Sequence, residues 1–281
     1  MSLEEQVEKC KKIHDTLAEF WNWAYYGTPH RECSWLLAEY VKKLKPDVEN
    51  RGPVILQEIE EILNQHDKPA FSLLDVGCGV GGFLHKVMST LPQRHPEMVF
   101  RATGIDISKD MIDYAQKNLG DSNVELVCDN IASHDLKFGN EPFDVAVLMV
   151  TLSFYTDDGA EQILSAIRDK LRQGGDLVIM DFAWSYRWKS FKLFAKPLQS
   201  LTDTFFSHLI GESFNFTNRT EDHIKELLAN AGFEISRSYL SEKKSRMKGM
   251  QIIVGTKEKT SEKTIDVALE LPTALTDKVD H

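Results

Sequence analysis

The chain has 281 residues, 42% hydrophobic and 27% charged, proportions ordinary for a soluble globular protein that forms one large domain with additions or two small domains. Its 33 basic residues against 43 acidic ones leave a formal net charge of −10, which speaks against a broad phosphate-binding surface and hence against a nucleic-acid partner. A small molecule, a cationic ligand or a peptide suits that balance better.

The opening segment, "MSLEEQVEKCKK", carries acids where a signal peptide has a basic and then an apolar run. No later stretch reaches membrane-spanning length, so a cytoplasmic protein without membrane contact is expected. Residues 1–70 are helical in pattern and precede the first strand, which makes them a candidate cap or lid. From residue 71 short apolar runs alternate with amphipathic segments, the pattern of a βαβ series around a parallel sheet. The strand "FSLLDV" leads into a helix from Gly82 through "FLHKVMSTL". The strand "VFRATGIDI" leads into "SKDMIDYAQKNLG", where Ser108 caps and Gly120 stops the helix. "VELVCDN" and "FDVAVLMV" are the third and fourth strands, "GAEQILSAIRDKL" a helix, Gly174 and Gly175 a turn, and "DLVIMDF" the fifth strand. Residues 183–219 interrupt the series as an insertion. The helix "TEDHIKELLANAG" and the strands "FEISRSYL" and "MQIIVGT" close it, and residues 257–281 form a polar tail. Four widely spaced cysteines (Cys10, Cys33, Cys78, Cys128) lack a metal or disulfide spacing and are expected to be reduced, with Cys78 filling space in a turn. No metal-ligand pattern can be assembled.

The stretch "LLDVGCGVGGF" sets four glycines within six positions after a strand that ends in an acid. A strand running through a glycine turn into a helix aims backbone N–H groups and a helix N-terminus at whatever lies above the sheet. Gly77, Gly79 and Gly82 satisfy G-x-G-x-x-G, and Asp106 ends the second strand where ribose hydroxyls would be bound, so dinucleotide and nucleoside cofactors both remain open. The "YRWK" stretch does not supply the Tyr-x-x-x-Lys of a short-chain oxidoreductase, because it sets Tyr186 and Lys189 one residue too close.

Four motifs in order resemble the class I S-adenosylmethionine-dependent methyltransferases over residues 70–256: "LLDVGCGVGGF" with its acid at Asp75, "GIDIS", "CDN" at 128–130, and "LRQGGDLVI" before the fifth strand. The resemblance implies a Rossmann-like α/β fold. Its seven-stranded, mostly parallel sheet would carry helices on both faces and an antiparallel last strand, with residues 71–256 as the S-adenosylmethionine-binding domain. It further implies that Gly77, Cys78 and Gly79 pass close to the methionine part of the cofactor. Asp106 would take the ribose hydroxyls, Ile107 and Met111 the adenine face, and Asp129 and Asn130 the adenine edge. Ile107 and Met111 at i, i+4 fit a core equally well, and Asp129 fits a solvated loop. Arg31 would reach the cofactor carboxylate from the N-terminal segment, or lie on the surface.

All five tryptophans fall outside the βαβ series, and an aromatic acceptor pocket above the cofactor would draw on Phe20, Trp35 and Trp184. "TLSFYTDDG" places Tyr155, Asp157 and Asp158 at the carboxyl end of the fourth strand. Acids beside aromatics suit a cationic acceptor, and an aspartate can receive the proton that an amine loses before attack. Those three are the catalytic candidates, and N-methylation of an amine is the expected reaction. Asp158 serves equally as a helix cap. A narrower similarity, carried by the aromatic N-terminal helix and "FYTDD", is to the N-methyltransferases of the arginine-containing peptide plantazolicin. O-methylation of a small metabolite, a nicotinamide-dependent oxidoreductase and a non-catalytic binding module are the alternatives.

Overall fold

A computed structural model of the chain describes residues 1–26, 52–65, 68–120, 122–133, 136, 141–182, 217, 219–240 and 250–258. Seven strands form one sheet: β1 (Ala70–Val76), β2 (Val99–Asp106), β3 (Val124–Cys128), β4 (Phe143–Met149), β5 (Leu171–Phe182), β6 (Phe233–Leu240) and β7 (Met250–Lys257). Their spatial order is β3-β2-β1-β4-β5-β7-β6, and β7 pairs antiparallel with both β5 and β6 while the pairs among β1 to β5 are parallel. This is the Rossmann-like α/β arrangement expected from the sequence. Strand order reverses between β1 and β4, the place where open α/β sheets bind their ligands.

The helices are α1 (Leu3–Tyr26), α2 (residues 52–63), α3 (Gly82–Arg94), α4 (Lys109–Leu119), α5 (Asp157–Lys170) and α6 (Glu221–Asn230). Successive strand residues point to opposite faces, so the sheet carries two cores. Leu73, Val145, Val147 and Val178 meet α2, α3 and α4 on one side; Leu74, Ala146, Leu148 and Ile179 meet α5 and α6 on the other. β4 is buried from Phe143 to Leu148, which is why it reads as apolar from Val145 on, while its buried Asp144 accepts from Ser72 and Arg172.

Residues 52–63 are an integral layer of the domain. Ile55, Ile59 and Leu63 share a core with β1 and α3, and the buried Glu58 carboxylate accepts from Arg237 Nε at 2.7 Å and from the Tyr239 hydroxyl, tying α2 to the edge strand β6. Two local expectations shift. Helix α5 begins at Asp157, with the Thr156 hydroxyl as its cap on the Gly159 N–H. Gly174 and Gly175 lie inside β5, where the register against β4 jumps from Phe143↔Leu171 to Val145↔Asp176. A Cβ on Gly175 would meet the Arg172 and Asp144 carbonyl oxygens at 3.0 and 3.1 Å, so the pair makes a bulge where a turn was expected. The assigned insertion lies outside the described residues except for 217 and 219, as does the tail beyond 258.

Candidate functional site

The glycine loop is built by three left-handed residues, Gly77 (φ 75°), Gly79 (φ 53°) and Gly81 (φ 79°). The N–H groups of Gly77 and Cys78 donate to the Ile105 carbonyl at 2.8 and 3.1 Å, pinning the loop to β2. Each glycine answers a separate demand. A Cβ on Gly77 would strike the Thr151 hydroxyl at 2.6 Å, and one on Gly81 would press on Leu119 and Ala115 at 3.0 and 3.2 Å, so these two allow β4 and α4 to pack close. A Cβ on Gly79 would find only Met111 Sδ at 4.0 Å, which leaves open space above this stretch of backbone for a ligand. Gly81, rather than Gly82, is the positive-φ entry into α3, where it stands at the N-cap.

Asp106 closes the other wall. Its carboxylate accepts from the N–H groups of Gly79 and Ser108, both at 2.9 Å, and burial raises its pKa despite those donors. Each oxygen keeps acceptor capacity beyond its one backbone donor. Beneath the loop Asp75 is fully buried, and neither oxygen has a hydrogen-bond partner. Burial, with the Asp106 charge adding to it, pushes Asp75 up to about 8. A carboxyl group left so is costly unless a cation or donor reaches it.

That shift sets a testable pH dependence. An aspartate in an unfolded chain titrates near about 3.9. Folding therefore takes up a proton at Asp75, and the stability so gained is full below about pH 4 and lost as pH rises through about 8. Differential scanning calorimetry of the ligand-free protein is expected to show this decline between about pH 5 and about pH 9, shallower in Asp75→Asn. Equal slopes would mean that Asp75 is ionised in the native state.

Helix α1 crosses the carboxyl ends of the strands as a roof. Gln6 Oε1 accepts from the Thr156 N–H at 2.7 Å, Cys10 Sγ donates to the Phe154 carbonyl at 3.7 Å, and the His14 ring meets the Phe154 ring edge-on at 4.8 Å. Farther along, Asp15 accepts from the Ser108 hydroxyl at 2.5 Å, Ala18 packs on Val80 and Met111, and Asn22 accepts from Asn118 at 2.8 Å.

The expected cofactor residues gather at this groove: Asp75, Gly77, Cys78, Gly79, Asp106, Ile107 and Met111 adjoin one another, and the Asp129 N–H donates to the Asp106 carbonyl. Met111 is buried under Ala18, and the Cys78 thiol is buried beside Gly104, raised well above the usual thiol range by burial. Asp129 and Asn130 turn the chain after β3, their side chains accepting from the N–H groups of Asn130 and Ala132.

The three catalytic candidates have different surroundings. Tyr155 is buried, and burial raises its hydroxyl well above the usual phenol range. Asp157 accepts from Arg219 Nε at 2.9 Å and faces His223 Nε2 at 3.1 Å, so both its oxygens are engaged by the segment that starts α6. Asp158 is exposed in the first turn of α5. Arg31, Trp35 and Trp184 lie outside the described residues, and Phe20 belongs to α1 without a described side chain.

Sequence reasoning missed Arg219 and Val150. Arg219 is 3% exposed and donates to the carbonyls of Leu152 and Tyr155 at 2.8 and 2.7 Å, fixing the 3₁₀ turn Leu152–Phe154 that follows β4. Val150 holds φ 52°, a conformation a β-branched residue rarely adopts, and redirects the chain so that Thr151 lies under Gly77. No sequence signal marks either one.

Residues 73–175 match the family profile described as a methyltransferase domain. Among curated relatives, malonyl-[acyl-carrier protein] O-methyltransferase of Acetivibrio thermocellus is 32% identical over 43% of this chain, and the match spans 39% of that relative's length. The tRNA N(3)-cytidine methyltransferase METTL2 of Danio rerio is 22% identical over 88% of this chain and 73% of its own length. Among solved structures, magnesium protoporphyrin IX methyltransferase of Synechocystis PCC 6803 with bound SAH superposes with a TM-score of 0.57 at 17% identity, covering 85% of this chain and 93% of that one. Its likeness is one of fold. Among the described residues no helix is long and apolar enough to cross a membrane, and no group of three His, Cys, Asp or Glu is placed to hold a metal ion.

Proposed function

We propose that the segment matching a methyltransferase domain, residues 73–175, is of the class I S-adenosylmethionine-dependent kind, and that the chain transfers a methyl group from S-adenosylmethionine to a small molecule or peptide. The observation that carries the reading is the pairing of the unpartnered, buried Asp75 with the open face of Gly79 beside Asp106. A cofactor with a cationic amino group and a ribose diol meets both needs.

In this reading Asp106 accepts from the ribose hydroxyls while its backbone donors hold it still, and Gly79 lets the main chain approach. Asp75 ionises when the amino group arrives and serves as its counter-charge. Ile107 and Met111 offer apolar contact to the adenine, with Asp129 and Asn130 at its edge. When bound, the cofactor supplies a methyl group on a sulfonium, a leaving group that asks the protein chiefly for alignment and exclusion of water. The α1 roof excludes water. Arg31 would meet the cofactor carboxylate, and Phe20, Trp35 and Trp184 the acceptor.

For the acceptor we read an amine nitrogen, supported by the net charge of −10 and by the exposed Asp158, with Asp157 held by Arg219. The same charge disfavours a nucleic-acid acceptor. An O-methyl product is the second reading, because two relatives are named O-methyltransferases.

Calorimetric titration with S-adenosylmethionine, S-adenosylhomocysteine, NAD and NADP tests the class. Binding of the two adenosyl ligands alone is expected, and binding of a nicotinamide nucleotide alone would overturn it. With radiolabelled S-adenosylmethionine and a metabolite extract, a product stable to mild base supports the amine, whereas release of methanol identifies an ester. Loss of the product after nuclease treatment would point to RNA.

A further inference from the structure

His14 has no part in the reading so far. It sits near the middle of the α1 roof, half-buried, with its ring edge-on to Phe154. Neither ring nitrogen has a hydrogen-bond partner among the described residues. Its neighbour Asp15 accepts from the Ser108 hydroxyl while the Ser108 N–H donates to Asp106, so α1 carries His14 over the groove between the ends of β4 and β2, and no hydrogen bond joins it to Asp106. The charged groups facing His14 are Asp106 from β2 and Asp15 from α1 itself, the latter engaged by the Ser108 hydroxyl.

Two polar side chains that border one groove without bonding each other can share a hydroxyl group that enters it. An imidazole in a partly dry site with unused nitrogens loses hydration that only a ligand or water can replace. Burial lowers the His14 pKa against the pull of Asp106 and Asp15, which favours the neutral ring with one acceptor and one donor nitrogen. Asp106 can only accept when ionised; His14 adds a donor on the opposite side.

We propose that His14 and Asp106 form the two sides of a clamp on the ribose diol of the cofactor, so that helix α1 contributes a ligand-contacting residue. The proposal rests on the reading of Asp106 as the ribose ligand.

A cycle of protein and ligand changes tests this. S-adenosylhomocysteine and its 2′-deoxy and 3′-deoxy analogues are titrated calorimetrically into the parent protein and into His14→Phe, which keeps the ring against Phe154 and removes both nitrogens. The substitution is expected to weaken S-adenosylhomocysteine about 10-fold and at least one deoxy analogue less than about 2-fold, because the hydroxyl that His14 holds is already gone. Equal losses with all three ligands would show a packing effect, and no loss would show no contact; either overturns the clamp. Should His14→Phe fail to fold by calorimetry, His14→Gln runs the same cycle. If the parent binds none of the three, the cofactor reading itself fails.

Discussion

Replacing Asp106 by asparagine is expected to weaken S-adenosylhomocysteine binding roughly 30- to 100-fold while leaving the protein folded. The carboxylate accepts from two backbone N–H groups and retains capacity for ribose hydroxyls. An amide offers one oxygen, and its NH₂ must face either the Gly79 or the Ser108 N–H, donor against donor. Hydrogen bonds to a charged group contribute about 1.5–3 kcal/mol each, so losing their charged character on the diol costs about 2–3 kcal/mol of affinity. Stability moves little, because the lost donors are offset by relief of a buried charge. Calorimetry gives both quantities. Unchanged affinity would remove Asp106 from the ligand site.

The second large effect is on stability. Arg219→Ala is expected to destabilise the fold by about 3–5 kcal/mol, lowering the melting temperature by roughly 10 °C. One buried guanidinium satisfies the carbonyls of Leu152 and Tyr155 and pairs with Asp157. Removing it orphans two carbonyl groups and frees the turn that leads from β4 into α5. Arg219→Lys keeps the charge but lacks the planar fork, and should recover less than half of the loss. A shift of under about 3 °C in Arg219→Ala would mean that the turn holds itself, by the scaling of melting temperature with stability. Asp157→Asn should likewise lower the melting temperature, and a loss of turnover there has to be compared with that structural effect.

The sheet was legible because its central strands are buried on both faces, and because Ser108 and Gly120 bracket α4 at the expected positions. Asp106 was legible as the acid that ends the second strand after a glycine loop. The β5 bulge was not, since two glycines signal a turn and a bulge equally, and only the carbonyls of Asp144 and Arg172 decide between them. Arg219 was hidden because its partners are main-chain carbonyls 64 and 67 residues earlier in the chain, which no local pattern records. The burial of Tyr155 was likewise not visible in the sequence, where only its position after β4 could be read.

The roof helix also orders events during synthesis. Gln6 of α1 finds its partner in Thr156, 150 residues later, and His14 and Ala18 wait for Phe154 and Met111. At about 5–20 residues per second a ribosome takes roughly 10–30 s to cover that separation. Throughout that interval the amphipathic roof helix has emerged ahead of its partners with its apolar stripe unpartnered, a natural client for a chaperone. Its docking is a late, long-range step, so a ribosome stalled before α5 would present a nascent chain whose roof helix has yet to find its seat.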